Sequence, residues 1–230
     1  MSYCGSPPVP GEILLRWNFD PWLLAALLAT LGLVRFSARP TAFLLGWAVL
    51  ALAFVSPLCA MSVSLFSARA AHHLLLVSVA APLLALGFPP RRDGFLAPAF
   101  ILSTLVFWAW HLPALYDPAL ARTDLYWAMQ LSLLGSATLF WRALFLAQAV
   151  PAMLTLVGAM AQMGLLAAIL TFAPEPFYAS HLFTTLPWNL TALGDQQLAG
   201  LVMWVPGMIP YAAALALLAR RVWNRGEAVA

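Results

Sequence analysis

Ser67-Ala68-Arg69-Ala70-Ala71-His72-His73-Leu74-Leu75-Leu76-Val77-Ser78-Val79-Ala80-Ala81-Pro82-Leu83-Leu84-Ala85-Leu86-Gly87-Phe88-Pro89-Pro90 is the stretch whose reading decides the fold. Beyond Arg69 it holds no formally charged residue, and it is apolar for long enough to enter a bilayer. Two adjacent histidines stand at its mouth. A titratable side chain there is costly unless something pairs with it, so the pair is read as functional.

The composition around this stretch agrees with it. Hydrophobic residues make up 63% of the 230, charged residues only 8%, and the mean hydropathy is +0.90. Soluble domains carry about a quarter charged residues. The chain therefore reads as an all-α, polytopic membrane bundle. Residues 1–230 form a single integral membrane domain, with a Pro- and Gly-rich lead-in over 1–20. The positive charge is all arginine; it points to no nucleic-acid partner, and its use is topological. Cys4 and Cys59 are too few and too isolated to read as a disulfide framework. No basic leader with a cleavage site precedes the first apolar run, so that run is expected to be retained.

Apolar runs recur at about 21–34, 41–60, 71–88, 95–111, 125–147, 151–172 and 197–219, which predicts seven transmembrane helices. Turn signals separate them at Ala38-Arg39-Pro40, Pro89-Pro90-Arg91-Arg92-Asp93-Gly94 and Tyr116-Asp117-Pro118. With the N-terminus outside, Arg35, Arg39, Arg91, Arg92, Arg142, Arg220, Arg221 and Arg225 fall inside. Only Arg16, Arg69 and Arg122 fall outside, so the positive-inside bias predicts N-terminus outside and C-terminus inside. His72, His73, His111, His181, Cys4 and Cys59 then all lie toward the outer surface.

Imidazole, thiolate and thioether are the ligands that copper and haem iron take, so histidines from different helices at one membrane level form a candidate metal site. His73 and His111 lead that reading. His72 is about 100° from His73 around a helix, so the two need not act together. His181, on a loop, reads as a surface residue. His111 stands directly before Leu112-Pro113, where a helix that stops frees carbonyls and turns the ring toward an outer cavity. Trp108, Trp110 and Tyr116 around it suit the membrane interface. In the last run Asp195 reads first as a helix cap. Gln196, Gly200, Met203 and Gly207 follow 4-3-4 spacing, giving one small, polar face that carries a thioether. Pro206 and Pro210 are expected to bend that helix midway. Met160, Gln162 and Met163 read as packing. No nucleophile triad, His-Glu-x-x-His, Walker loop, Cys-x-x-Cys, Rossmann glycine pattern or chain of intramembrane acids is present, so no enzyme activity is expected.

Three blocks taken together resemble the CtaG family of multi-span cytochrome c oxidase assembly factors. They are Leu65-Phe66-Ser67-Ala68 through Ala80-Ala81-Pro82-Leu83-Leu84-Ala85-Leu86-Gly87, then Trp110-His111-Leu112-Pro113-Ala114-Leu115-Tyr116, and Asp195-Gln196-Gln197-Leu198-Ala199-Gly200-Leu201-Val202-Met203-Trp204-Val205-Pro206-Gly207. The opening Trp17-Asn18-Phe19-Asp20-Pro21 fits as well. The resemblance spans nearly the whole chain and implies seven spans and a role in maturing haem-copper oxidases through copper handling, in a fold unlike the single-span copper chaperone that shares the name. His73, His111, Asp195 and Met203 correspond to family positions. Where the family pattern reads His-Met-x-Gln-His, this chain has Arg69-Ala70-Ala71-His72-His73. Arginine does not ligate cations, so a metal site here loses that ligand or recruits His72.

The expectation is thus a bacterial inner-membrane protein that holds or relays copper on the outer side through His73, His111, His72, Asp195 and Met203. Its partners are cytochrome c oxidase subunits, the lipid bilayer and a periplasmic copper chaperone. The rival readings are a haem-handling protein that uses the same histidines, a metal-free scaffold that docks oxidase subunits, and third a small-solute or copper permease, for which the inner half of the spans offers little beyond Met and Gln.

Overall fold

The computed structural model describes residues 2–88 and 95–227, and among these the chain is helical without a strand. The expected turn at 89–94, with Arg91, Arg92 and Asp93, lies outside the described residues, as do the side chains of Arg225 and Glu227.

Prolines place the breaks. The helices are α1 (Pro21–Leu31), α2 (Pro40–Val55), α3 (Leu58–Ser64), α4 (Phe66–Leu74), α5 (Ala81–Gly87) and α6 (Leu96–Ala109). They continue as α7 (Pro113–Ala121), α8 (Thr123–Leu146), α9 (Ala149–Phe172), α10 (Ala192–Trp204) and α11 (Ile209–Glu227). Proline sits in the first turn of α1, α2, α5 and α7, where its missing N–H is no loss.

Four helical segments are long and apolar enough to cross a membrane singly: Phe66–Gly87, Thr123–Leu146, Ala149–Phe172 and Ala192–Asn224. Counting the two bent pairs raises the number to six. The expected run at 41–60 breaks near Pro57, and α3 turns 50° from α2. The run at 95–111 is followed by α7, bent 72° from α6. The seventh expected span, 21–34, folds as the shorter apolar segment Pro21–Phe36. Tyr116-Asp117-Pro118, read as a turn, lies within α7. In the last run Pro206 opens a short 3-10 break at Pro206–Met208 between α10 and α11, as the two prolines led one to expect.

The quoted stretch starts earlier than its apolar run. It is helical from Phe66, so His72 and His73 lie about 9 Å inside the helix and not at its mouth. Between α4 and α5 the helix widens to a π stretch, Leu75–Ala80. Pro82 lacks the N–H that i→i+5 bonding would bring to Val77, and the Val77 carbonyl instead accepts the Trp141 indole N–H at 3.0 Å.

The lead-in is ordered. Cys4 and Cys59 form a disulfide across 55 residues, which corrects the reading of two isolated thiols. Sequence spacing held no sign of this pairing, because the fold alone brings the lead-in to the top of α3. Pro8 O accepts the Ser64 hydroxyl at 2.9 Å and the Trp188 indole at 3.2 Å, and Asn18 N donates to Val55 O at 2.9 Å. Closing a loop of this length contributes about 4 kcal/mol in the chain-entropy estimate. Cys4→Ser is expected to lower the thermal midpoint in detergent by several degrees and to open residues 5–16 to protease; an unchanged midpoint and cleavage pattern would count against the tether.

Candidate functional site

Helix α4 begins behind an apolar residue, Leu65, which has no side chain to cap the first amides. Its cap comes from another helix. The Asp195 carboxylate on α10 accepts Phe66 N–H at 2.5 Å, Ser67 N–H at 3.2 Å and the Ser67 hydroxyl. The expectation that Asp195 caps its own helix is therefore corrected. Thr191 holds that place, accepting Gly194 N–H at 3.0 Å, while Asp195 is fully buried one turn further on. A carboxylate at the positive end of α4 is favoured by the helix dipole and by three hydrogen bonds. It fixes the helix that carries Arg69, His72 and His73.

Both histidines are buried, at 0% and 6% exposure. The rings form a chain. Phe54 meets His72 edge-on at 5.0 Å between centroids, His72 and His73 are 5.9 Å apart, and His73 and His111 are 6.4 Å apart. The helix break expected at His111 is present. Alpha6 ends at Ala109, α7 starts at Pro113, and the freed His111 carbonyl accepts the Tyr178 hydroxyl at 2.9 Å. The ring is buried, at 8% exposure. His111 Nδ1 lies 2.7 Å from Phe107 O. A carbonyl only accepts, so Nδ1 carries the proton and Nε2 keeps its lone pair. Among the described residues His73 Nε2 meets no hydrogen-bond partner, and the polar group beside the His72 ring is the Ala53 backbone.

His181 is buried, contrary to the surface reading, because Tyr116 and Ser64 supply partners for both ring nitrogens. Nδ1 donates to Ser64 O at 3.3 Å, so Nε2 accepts the Tyr116 hydroxyl at 2.8 Å. Burial, reinforced by the nearby Arg69 charge, holds this imidazole down at about 4, and it is neutral at neutral pH. Asp117 fastens the same loop by accepting Ala179 N–H and Ser180 N–H. Arg69, counted from the sequence as an outer loop charge, is instead inside the bundle at 0% exposure. Its guanidinium lies 5.3 Å over the Tyr126 ring. The hydroxyl of Tyr126 reaches 3.4 Å from Cys4 Sγ and 3.8 Å from Cys59 Sγ. All four histidines and the disulfide thus lie at one end of the bundle.

Met203 is buried in the core on α10. Gln196 Oε1 accepts Phe177 N–H at 2.7 Å, and Gln162 Oε1 accepts the Trp108 indole at 2.9 Å. Trp110 donates to the Ser132 hydroxyl at 2.8 Å, so these indoles fasten helices as well as suiting an interface. Among the described residues, no three His, Cys, Asp or Glu side chains gather closely enough to hold a metal ion. The structure joins His73 to His72 and to His111, while Asp195 is engaged with α4. A recess of about 360 Å³ bounded by Gly5, Val63, Leu120, Ser180 and Thr184 includes no histidine in its walls.

With this geometry in place, the chain matches the cytochrome c oxidase caa3 assembly factor family over residues 22–92 and 95–225. The chain belongs to the cytochrome c oxidase caa3 assembly factor family. No curated protein and no solved structure matches it. The matched region of this assembly factor takes in every histidine, Asp195 and Met203, whereas Cys4 lies in the lead-in before it. Membership makes the oxidase its partner, and the apolar helices make it a membrane protein. Sequence reasoning missed Ser67, Ser64 and Tyr126 as members of this end of the bundle. A carboxylate one turn inside a helix, past an adequate Thr cap, is the signal that pointed to a partner beyond its own helix.

Proposed function

We propose that this assembly factor serves the oxidase by holding or relaying copper as cargo, without catalysis, at the outer face of a bacterial inner membrane, through His73 and His111. The observation that carries the reading is the spacing of these two rings. A metal–nitrogen bond of about 2 Å, with ~1.1 Å from nitrogen to ring centre, puts two imidazoles bridged by one ion about 6 Å apart. The observed 6.4 Å is close to that. His111 donates its Nδ1 proton to a carbonyl, the arrangement that second-shell partners of metal-bound histidines adopt, and Nε2 is left to ligate. His73 contributes a buried nitrogen with no other partner among the described residues. Two neutral imidazoles suit Cu(I), and few ligands keep the ion exchangeable for delivery to an oxidase subunit or receipt from a periplasmic copper chaperone. His72, Asp195 and Met203 support this pair: Asp195 by fixing α4, Met203 as a thioether on the helix that Asp195 anchors.

The outer placement, with N-terminus outside and C-terminus inside, needs an odd number of crossings and so counts Pro21–Phe36 as a seventh beside the six above; it rests on two supports. Arginine bias favours it, with Arg69 removed from the loop count, and a disulfide at the histidine end suits an oxidising compartment. Cu(I) titration of the purified protein against a chromophoric chelator is expected to give one ion per chain. His73→Ala and His111→Ala are each expected to weaken binding by at least about a hundredfold, more than the roughly 10–100-fold that losing a hydrogen-bond partner of a ligand typically costs. Unchanged stoichiometry and affinity in both variants would remove them from the site. A Soret band in the purified protein would favour haem instead.

A further inference from the structure

We propose that Arg69 is the residue that sets which ion charge the histidine pair accepts, admitting a monovalent ion and rejecting divalent ones. The inference rests on the copper reading above. Arg69 is one helical turn before His73 on α4, so the two share a face, with Cβ atoms about 6 Å apart. It is fully buried, and its polar neighbours are the neutral hydroxyls of Tyr116 and Tyr126; among the described residues no carboxylate forms an ion pair with it. The ion pairs formed by arginine among the described residues, Arg16–Glu12 and Arg122–Asp124, are exposed and elsewhere. The buried carboxylate on the same end of the bundle, Asp195, is taken up by the α4 amides and Ser67. The charge of Arg69 falls instead on His72, His73 and His181.

An unneutralised cation in a poorly polarisable interior repels any ion arriving at the neighbouring imidazoles. The repulsion scales with the ion's charge. For a unit charge on the order of 8 Å away at an effective dielectric of about 20, Coulomb's law weakens a monovalent ion roughly 30-fold and a divalent ion about a thousandfold. Ligand type alone does not give this discrimination, because Cu(II) and Zn(II) bind imidazole at least as readily and Cu(II) tops the divalent series. Arg69 therefore supplies by charge what two imidazoles lack, and it keeps even the favoured ion loosely held, as a relay requires.

The test compares wild type with Arg69→Gln and Arg69→Met in detergent, measuring Cu(I), Ag(I), Cu(II) and Zn(II) affinities by competition. Both variants are expected to bind Cu(I) and Ag(I) about tenfold or more tighter, by a common factor, and to gain on Cu(II) and Zn(II) by about the square of that factor. The ratio of Cu(I) to Ag(I), which share a charge, is expected to stay fixed; a merely structural arginine would not separate ions by valence. Equal changes for all four ions, or none, overturn the inference while leaving the copper reading in place. Wild-type protein that takes Zn(II) as tightly as Cu(I) overturns it without any variant. Wild-type protein that binds neither Cu(I) nor Ag(I) overturns the copper reading, and this inference with it.

Discussion

Asp195→Ala is expected to destabilise the protein by about 3–5 kcal/mol and to loosen the turn that carries His72 and His73. The carboxylate is fully buried and accepts three donors, two of them the first amides of α4. Removing it leaves Phe66 N–H, Ser67 N–H and the Ser67 hydroxyl without partners in a site closed to water, and such orphaned groups cost about 1–3 kcal/mol each before relaxation. Asp195→Asn keeps one acceptor oxygen and turns an NH2 toward the amides, so an intermediate loss is expected. Thermal unfolding in detergent reads both. Stability within about 1 kcal/mol of wild type for Asp195→Ala would show that α4 does not depend on this cap. The same variant is expected to weaken Cu(I) binding, since α4 carries His73.

The second large effect is expected at Gly200. Helices α9 and α10 pack so closely there that a Cβ would stand 2.7 Å from the Ala167 carbonyl oxygen and 3.0 Å from Thr171 N, and closer still to Thr171 Oγ1. The first two are backbone atoms, so the conflict is relieved only by moving the helices apart. Gly200→Ala is expected to cost about 1–3 kcal/mol, and Gly200→Leu to prevent recovery of folded protein. Gly135→Ala on α8 is the control: its Cβ meets nothing within 4 Å, and better helix propensity should leave stability equal or up to about 1 kcal/mol higher. Equal melting behaviour of Gly200→Ala and Gly135→Ala would show that the close approach of α9 and α10 matters little.

Much of the site was legible in one dimension because the signals are local. The 4-3-4 face of Gln196, Gly200 and Met203 is the buried face of α10, since helical periodicity alone dictates which residues point together. The break at His111 followed from Pro113, whose ring does not allow the preceding helix to continue unbent. The misread residues are those whose partners are distant in sequence. Arg69 reads as a loop charge because polar first turns usually mark a membrane boundary; Asp195, 126 positions away, lets this one be buried. His181 reads as a surface residue because loops usually are. Tyr116 and Ser64, each more than 60 positions away, satisfy both its nitrogens.

Composition and hydropathy fix the solvent and the class of fold. A chain with 8% charged residues and repeated apolar runs has no state in water that hides them, so helices in a bilayer follow from composition. The sequence also determines which side chains are chemically able to hold an ion. The folded arrangement settles which of them meet: that His73 faces His111, that Asp195 caps another helix, that Cys4 reaches Cys59, and that Arg69 has no ion-pair partner among the described residues. Hydropathy is a property of each residue and sums along the chain, whereas a contact depends on the bend at every break between two segments, and no local pattern encodes the angles of 50° and 72° that bring this end of the bundle together.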